Sequence, residues 1–391
     1  MRMRTRLLRL VGVFTLATAP MAATVVFATA AGADDFTVTN TNDSGAGSLR
    51  QAIADAASAG HPGDDVIDVQ AGLGTITLTS GEIFWNGNFG DITINGNGVT
   101  LNAGGAPIAL NNDGGDGITV NDMTITGVGG STASAAAAIV AQGGPIVVSN
   151  CVITGNNVHS TADHAAGALL NEGGTITVNG CTLSNNTAIT DDEDVAGAIV
   201  SEGGAVAVSA SAIRDNTGTG TATAEGDGAG GILSEGGNVT VGENTTITGN
   251  STTTNEGDAG GGINSQGGTV VVALSVISGN SATAGSDFDA GGGILSSGNS
   301  VTVRSSTLNC NSATSPDSFA GGGILAVTET VTINGSFVEG NTAVGRFGQD
   351  NAIFVGNTGT IEGTGNTIND DTSVCAAPVT PPLVVTPAFT G

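Results

Sequence analysis

The sequence predicts an all-β fold, a single-stranded right-handed parallel β-helix of about ten coils with an N-terminal capping helix. Three observations carry that expectation. An apolar residue leads each unit of a self-similar block, at Ile139, Leu169, Ile199, Ile232, Ile263, Ile294, Ile324 and Ile353, in steps of 30, 30, 33, 31, 31, 30 and 29 residues. A near-fixed period of this size marks a solenoid. Two further apolar columns follow inside each unit: Ile146, Ile176, Val206, Val239, Val270, Val301 and Val331, then Ile153, Leu183, Ile213, Ile247, Ile277, Leu308 and Val338. The 65 glycines and the abundant Thr, Val and Asn disfavour helix and suit short strands.

Three apolar runs per unit, separated by turn residues, give three short strands per coil. Within Thr175-Ile176-Thr177-Val178 the alternation has period two, which puts Ile176 and Val178 on one face. Three residues after the third column every unit carries an asparagine: Asn156, Asn186, Asn216, Asn250, Asn280, Asn311 and Asn341. Strands of adjacent coils lie about 4.8 Å apart, so these amides are expected to stack as a self-satisfying ladder. Spacing from lead residue to ladder asparagine is nearly constant, whereas the stretch before the next lead residue varies. Insertions therefore gather on one edge, where solenoids place binding functions.

Residues 1–33 read as a signal peptide: Arg2, Arg4, Arg6 and Arg9 precede an apolar run, and Ala31-Gly32-Ala33 forms a cleavage site before Asp34. The expected location is extracellular or cell-surface, without membrane insertion after cleavage. Residues 34–130 form an N-terminal cap and irregular coils. Phe36–Thr39 reads as a strand, and Leu49, Ile53 and the alanines up to Ala57 share one helical face; such a helix covers the open end of a stack. Short runs at Val66–Val69, Ile76–Leu78, Ile83–Trp85, Ile92–Ile94, Val99–Leu101, Ile118–Val120 and Met123–Ile125 make the irregular coils, with Trp85 in the core or cap. Residues 131–372 hold the regular repeats of about 30 residues, and 373–391 a Pro-rich tail.

Charge narrows the partners. The chain has no lysine, and after cleavage all 35 acidic residues face four arginines, a net charge of about −31. Nucleic acid and anionic membranes are excluded as partners; an extracellular polysaccharide or cell-surface ligand is compatible. Oligomeric state is left open.

Phe36-Thr-Val-Thr-Asn-Thr-Asn-Asp-Ser-Gly, followed by Gly47-Ser-Leu-Arg-Gln-Ala-Ile53, resembles the N-terminal region of secreted bacterial β-helix proteins with a Cys-Ser-Leu-Arg-Glu-Ala motif, with Gly47 in place of Cys and Gln51 in place of Glu. The repeats, as in Gly321-Gly-Gly-Ile324 and Phe337-Val-Glu-Gly-Asn341, are similar to polymorphic membrane protein repeats. The resemblance implies a surface or extracellular, adhesin-like protein.

Four cysteines agree with export. Cys151 and Cys181 occupy one column in adjacent coils, as a disulfide or as two stacked thiols; Cys310 and Cys375 can tie the C-terminal segment to the stack. No Cys/His motif for zinc is present.

Catalytic chemistry is thinly supplied. The same fold class contains polysaccharide lyases and glycoside hydrolases, the alternative function. Arg50, Arg214, Arg304 and Arg346 are scattered, and His61, His159 and His164 are isolated, the last two in a variable loop and expected at the surface. The carboxylates are better ordered. Asp194, Asp227, Asp258 and Asp289 stand five residues before the lead position, and Asp192, Glu225, Glu256, Asp287 and Asp317 seven before it. A third column is Glu172, Glu202 and Glu235, continued by Gln266 and Ser297. Like charges about 5 Å apart repel by something under 1 kcal/mol in water and several times more near a protein surface. A cation between the columns or plain solvation of splayed loops answers that repulsion. The eight residues Asp192, Asp194, Glu225, Asp227, Glu256, Asp258, Asp287 and Asp289 are the candidate metal ligands, for Ca²⁺, which takes six to eight oxygens; no other cofactor is implied. The function expected is a non-catalytic, adhesin-like extracellular scaffold with an acidic loop edge that either binds calcium or is simply solvated.

Overall fold

Short runs of alternating β-branched and small residues become strands of two to five residues, each paired in parallel with its equivalent one coil away. The computed structural model describes residues 34–369, apart from 222–223, 328–329, 347 and 357–359, together with Cys375. Residues 1–33, read above as a signal peptide, and residues 370–374 and 376–391 lie outside the described residues. The result is a parallel β-solenoid of about 11 turns. No helix among the described residues is long and apolar enough to cross a membrane.

All three apolar columns stack in register. Ile139 pairs with Leu169 and onward to Ile353, Ile146 with Ile176 and onward to Val331, Ile153 with Leu183 and onward to Val338. They line one continuous core. The irregular coils join the same sheets, Ile118 pairing with Ile146 and Ile125 with Ile153. Trp85 is buried in this core.

At the N-terminal end the helix Leu49–Ala56 turns Leu49, Ala52, Ile53 and Ala56 onto the first coil, and the Ser48 hydroxyl accepts from the Gln51 amide as its N-cap. Arg50 clamps the cap. Its guanidinium pairs with Asp43 at 2.7 Å and donates to the Gly81 carbonyl at 2.8 Å. Burial alone would raise the Asp43 carboxyl; hydrogen bonds from Ser80, Arg50 and Thr79 outweigh it and hold the group well below the usual carboxylate range.

The coil cross-section corrects the expectation of three strands. A regular coil has five: Ala165–Ala166, Leu169–Asn171, Ile176–Asn179, Thr182–Ser184 and Thr187–Thr190, for example, each in its own sheet. The two extra strands occupy the stretch read as a variable loop. Small residues face inward there, among them Ala188, Gly218, Thr252, Ala282 and Ala313. The chain thus folds back over the lead strand and buries its second face, where Leu170, Val200 and Leu233 meet Ala166, Ala196 and Ala229 in a satellite core. Glycine is required where the fold-back crosses: a Cβ on Gly197, Gly230, Gly261 or Gly292 would collide with the backbone carbonyl of the glycine one coil on.

Two polar ladders seal the corners. In the asparagine ladder each Oδ1 from Asn186 onward accepts both the backbone N–H and the side-chain NH₂ of the preceding coil's asparagine, as Asn250 does from Asn216 at 3.1 and 2.9 Å. The Asn250 NH₂ then donates to the Ile213 carbonyl and to Asn280 Oδ1, both at 2.9 Å. From Asn186 to Asn311 every side-chain donor and acceptor of these buried amides is used. The second ladder stands two residues before the third apolar column: Cys151, Cys181, Ser211, Thr245, Ser275, Ser306 and Ser336. A thiol or hydroxyl accepts the amide of the coil before, as Cys181 Sγ does from Cys151 and Ser211 Oγ from Cys181. Most members also donate to the carbonyl two residues back. Cys151 and Cys181 are therefore free, buried thiols standing in for serines. Cys310 and Cys375 form a disulfide.

Asn250→Ala removes four hydrogen bonds and orphans the Asn216 amide, so it is expected to destabilise the protein by about 3–4 kcal/mol. Asn179→Ala, at an exposed position, is expected to cost under about 0.5 kcal/mol. Chemical denaturation of the two variants checks the difference.

Candidate metal-binding edge

The turn between the two fold-back strands is where coil length varies: residues 161–164, 191–194, 221–227, 254–258, 284–289 and 316–318. All eight predicted ligands fall in these turns. Asp192, Glu225, Glu256 and Asp287 are exposed, and Asp287 takes a left-handed backbone with φ 72°. Asp194 is buried, while Asp227, Asp258 and Asp289 are half-buried.

The inner aspartates form a third ladder. Asp194 Oδ1 accepts from the Asp227 amide at 2.7 Å, Asp227 Oδ1 from the Asp258 amide at 2.8 Å, and Asp258 Oδ1 from the Asp289 amide at 2.8 Å. Asp289 Oδ1 closes the run with the Phe319 amide at 3.1 Å and the Ser318 hydroxyl at 2.6 Å. Its polarity is opposite to that of the asparagine ladder: here the side chain reaches toward the next coil's N–H.

His164 is the first member of this column. It stands five residues before Leu169, as Asp194 stands before Ile199, and its Nδ1 accepts from the Asp194 amide at 3.3 Å. The expectation of an isolated surface histidine is corrected, because the fold-back buries this end of the turn. His164 is 15% exposed, with Nε2 2.7 Å from Glu202 Oε1 and 3.9 Å from Asp163 Oδ1, and Nδ1 3.7 Å from Asp194 Oδ2. His159, on the neighbouring strand, also faces a carboxylate, Asp191, at 3.1 Å.

Burial and charge pull against each other here. Burial alone would lower the His164 pKa; the contact with Glu202 and the charges of Glu202, Asp194 and Asp163 raise it to about 9. A second proton would sit on Nδ1, trading the long amide contact for Asp194 Oδ2. Asp194 is pushed up to about 7 by burial, which His164 offsets in part and Asp227 reinforces. Burial, then Asp163 and Glu202, raise Glu172 as well.

Ligand atoms of His164, Asp194 and Glu202 lie within 4.8 Å of one another, and so do those of Asp194, Asp227 and Glu235. Two of the eight predicted ligands, Asp194 and Asp227, thus meet two members of the separate glutamate column and a histidine. Applying the five-residue offset to the coil led by Leu169 identifies His164 from sequence.

Of the arginines, Arg346 reaches these turns, through Asp317 of residues 316–318. Arg50 is held in the cap, Arg214 pairs with its neighbour Asp215 at 3.0 Å, Arg304 is exposed, and Arg346 pairs with Asp317 at 2.6 Å. No protein-family model matches the chain, and no curated protein matches it.

The aspartate ladder separates acceptor from charge. Asp258→Asn keeps an oxygen for the Asp289 amide and removes a stacked charge, so in chelator its melting temperature is expected to equal or exceed that of the parent. Asp258→Ala orphans that amide at a cost of about 1–2 kcal/mol. Equal losses in thermal melts of both variants would show that the charge itself holds the turn.

Proposed function

We propose that this chain is a secreted or cell-surface, non-catalytic β-solenoid scaffold whose acidic edge binds Ca²⁺ and faces an extracellular polysaccharide or other surface ligand. One observation carries the reading: the carboxylates of four successive coils, Asp194 to Asp289 and Asp192 to Asp287, gather in the one variable turn of the stack. An asparagine or serine satisfies the same backbone N–H elsewhere in this molecule without charge. Stacking carboxylates instead costs repulsion, and a dication removes it. Exposed outer carboxylates with half-buried inner ones supply the oxygens that Ca²⁺ requires. The signal-peptide pattern of residues 1–33 and the resemblance of the cap region and repeats to secreted β-helix proteins support the extracellular assignment. Among the described residues the one arginine at the edge, Arg346, is engaged by Asp317 at 2.6 Å, which gives the lyase alternative little support.

Protein recovered from culture medium, its N-terminus mapped to Asp34, is the material for the test. Calcium is expected to raise its melting temperature over chelator by several degrees more than equimolar magnesium does, because a ligand held by the folded state alone stabilises it by mass action. Equal, small shifts with both ions would reduce the edge to a solvated surface.

A further inference from the structure

The head of the aspartate column differs chemically from the rest. From Asp194 onward each member is a carboxylate, whereas the first coil supplies an imidazole at the same register. That ring lies between two carboxylates. Asp194 is 8% exposed. Its Oδ1 is used by the Asp227 amide, and its Oδ2 meets His164 Nδ1 only at 3.7 Å, beyond hydrogen-bond reach. Glu202 Oε1 is buried and lies 2.7 Å from Nε2, close enough for one ion to bridge the two in place of a proton. The Asp194 Oδ2 left free beside this pair supplies the third donor.

We propose that His164, Asp194 and Glu202 form a binding site for a borderline first-row dication, Zn²⁺ in the first instance, at the head of the acidic edge, sharing Asp194 with the candidate calcium ligands. One imidazole nitrogen with two carboxylate oxygens is a donor set for zinc, with a fourth position for water; calcium takes oxygen donors. Binding displaces the proton held between Nε2 and Glu202, as metal ligation requires. The pair then parts from 2.7 Å to about 3.3 Å, the separation of two ligands about 2.05 Å from a tetrahedral ion. Asp227 and Glu235, which share Asp194 with this triad, flank the ion with further negative charge. The site goes beyond the calcium reading and stands or falls separately from it.

The test is a titration of the chelator-stripped mature chain with Zn²⁺ by calorimetry, and with Co²⁺ by visible absorption. One tight Zn²⁺ per chain is expected, together with the d–d bands of a low-coordinate cobalt site. His164→Asp is the informative variant, since it places at this register the residue found in the next four coils and keeps the ladder acceptor. Its zinc affinity is expected to fall at least about tenfold and its cobalt spectrum to change, while its calcium-dependent melting shift persists. Glu202→Gln is expected to weaken zinc likewise, and Asp258→Asn to leave it unchanged. Zinc affinity in His164→Asp equal to that of the parent, or a zinc response no larger than that to magnesium, would overturn the site. A missing calcium shift with zinc binding intact would overturn the acidic-edge reading and leave the zinc site standing.

Discussion

A coil of this solenoid turns a corner every few residues, and at each corner a backbone N–H leaves the strand ladder while still buried. An unpaired buried amide costs about 1–3 kcal/mol, and the corner recurs in every coil, so the stack depends on supplying acceptors there. It does so with side chains from the adjacent coil. Asn156 to Asn341 serve one corner, Cys151 to Ser336 a second, and His164 to Asp289 a third. The parallel register makes this possible, because it places identical positions one above another. The same register admits glycine alone at the crossing column, Gly197 to Gly292.

The third corner is chemically distinct. The first two use neutral acceptors buried against the main core, while the third uses carboxylates at the variable turn, partly open to solvent. Neutral acceptors would fold as well, and acids stacked on one edge repel. That choice is where structure passes over into function: charge is concentrated where chain length changes most easily, outside the sheets and the core. At the head of the column the imidazole of His164 and the carboxylates of Asp194 and Glu202 meet in the most buried part of the edge, and there burial raises Asp194, with Asp227 and Glu202 adding to it.

Much of the fold was legible in the sequence because the core columns are large aliphatic residues at a fixed period. Ile139, Ile146 and Ile153 announce their strands, Asn156 its ladder, and Leu49 and Ile53 the capping helix. The fold-back strands were not legible. Ala188, Gly218 and Thr252 face inward with side chains too small to mark an apolar period, so the segment passes for loop. For the same reason nothing in the sequence marks the satellite core that covers Leu170. The hydroxyl ladder was hidden by its mixture of Cys, Ser and Thr. At the edge the aspartate columns were plain, but their meeting with Glu202 and Glu235 depends on the fold-back, which brings the start of one strand beside the end of the next.

Native-state hydrogen exchange tests most directly the claim that rigid corner ladders carry the stability while the acidic turns are the responsive element. The amides of Asn186, Asn216, Asn250 and Asn280, each donated to a buried side-chain oxygen one coil on, are expected to exchange only through global unfolding. Amides of residues 191–193, 224–226 and 254–257, outside the aspartate ladder, are expected to exchange faster and to slow on addition of a divalent cation. Ladder amides exchanging as fast as the turns, or turn amides indifferent to the cation, would contradict the account.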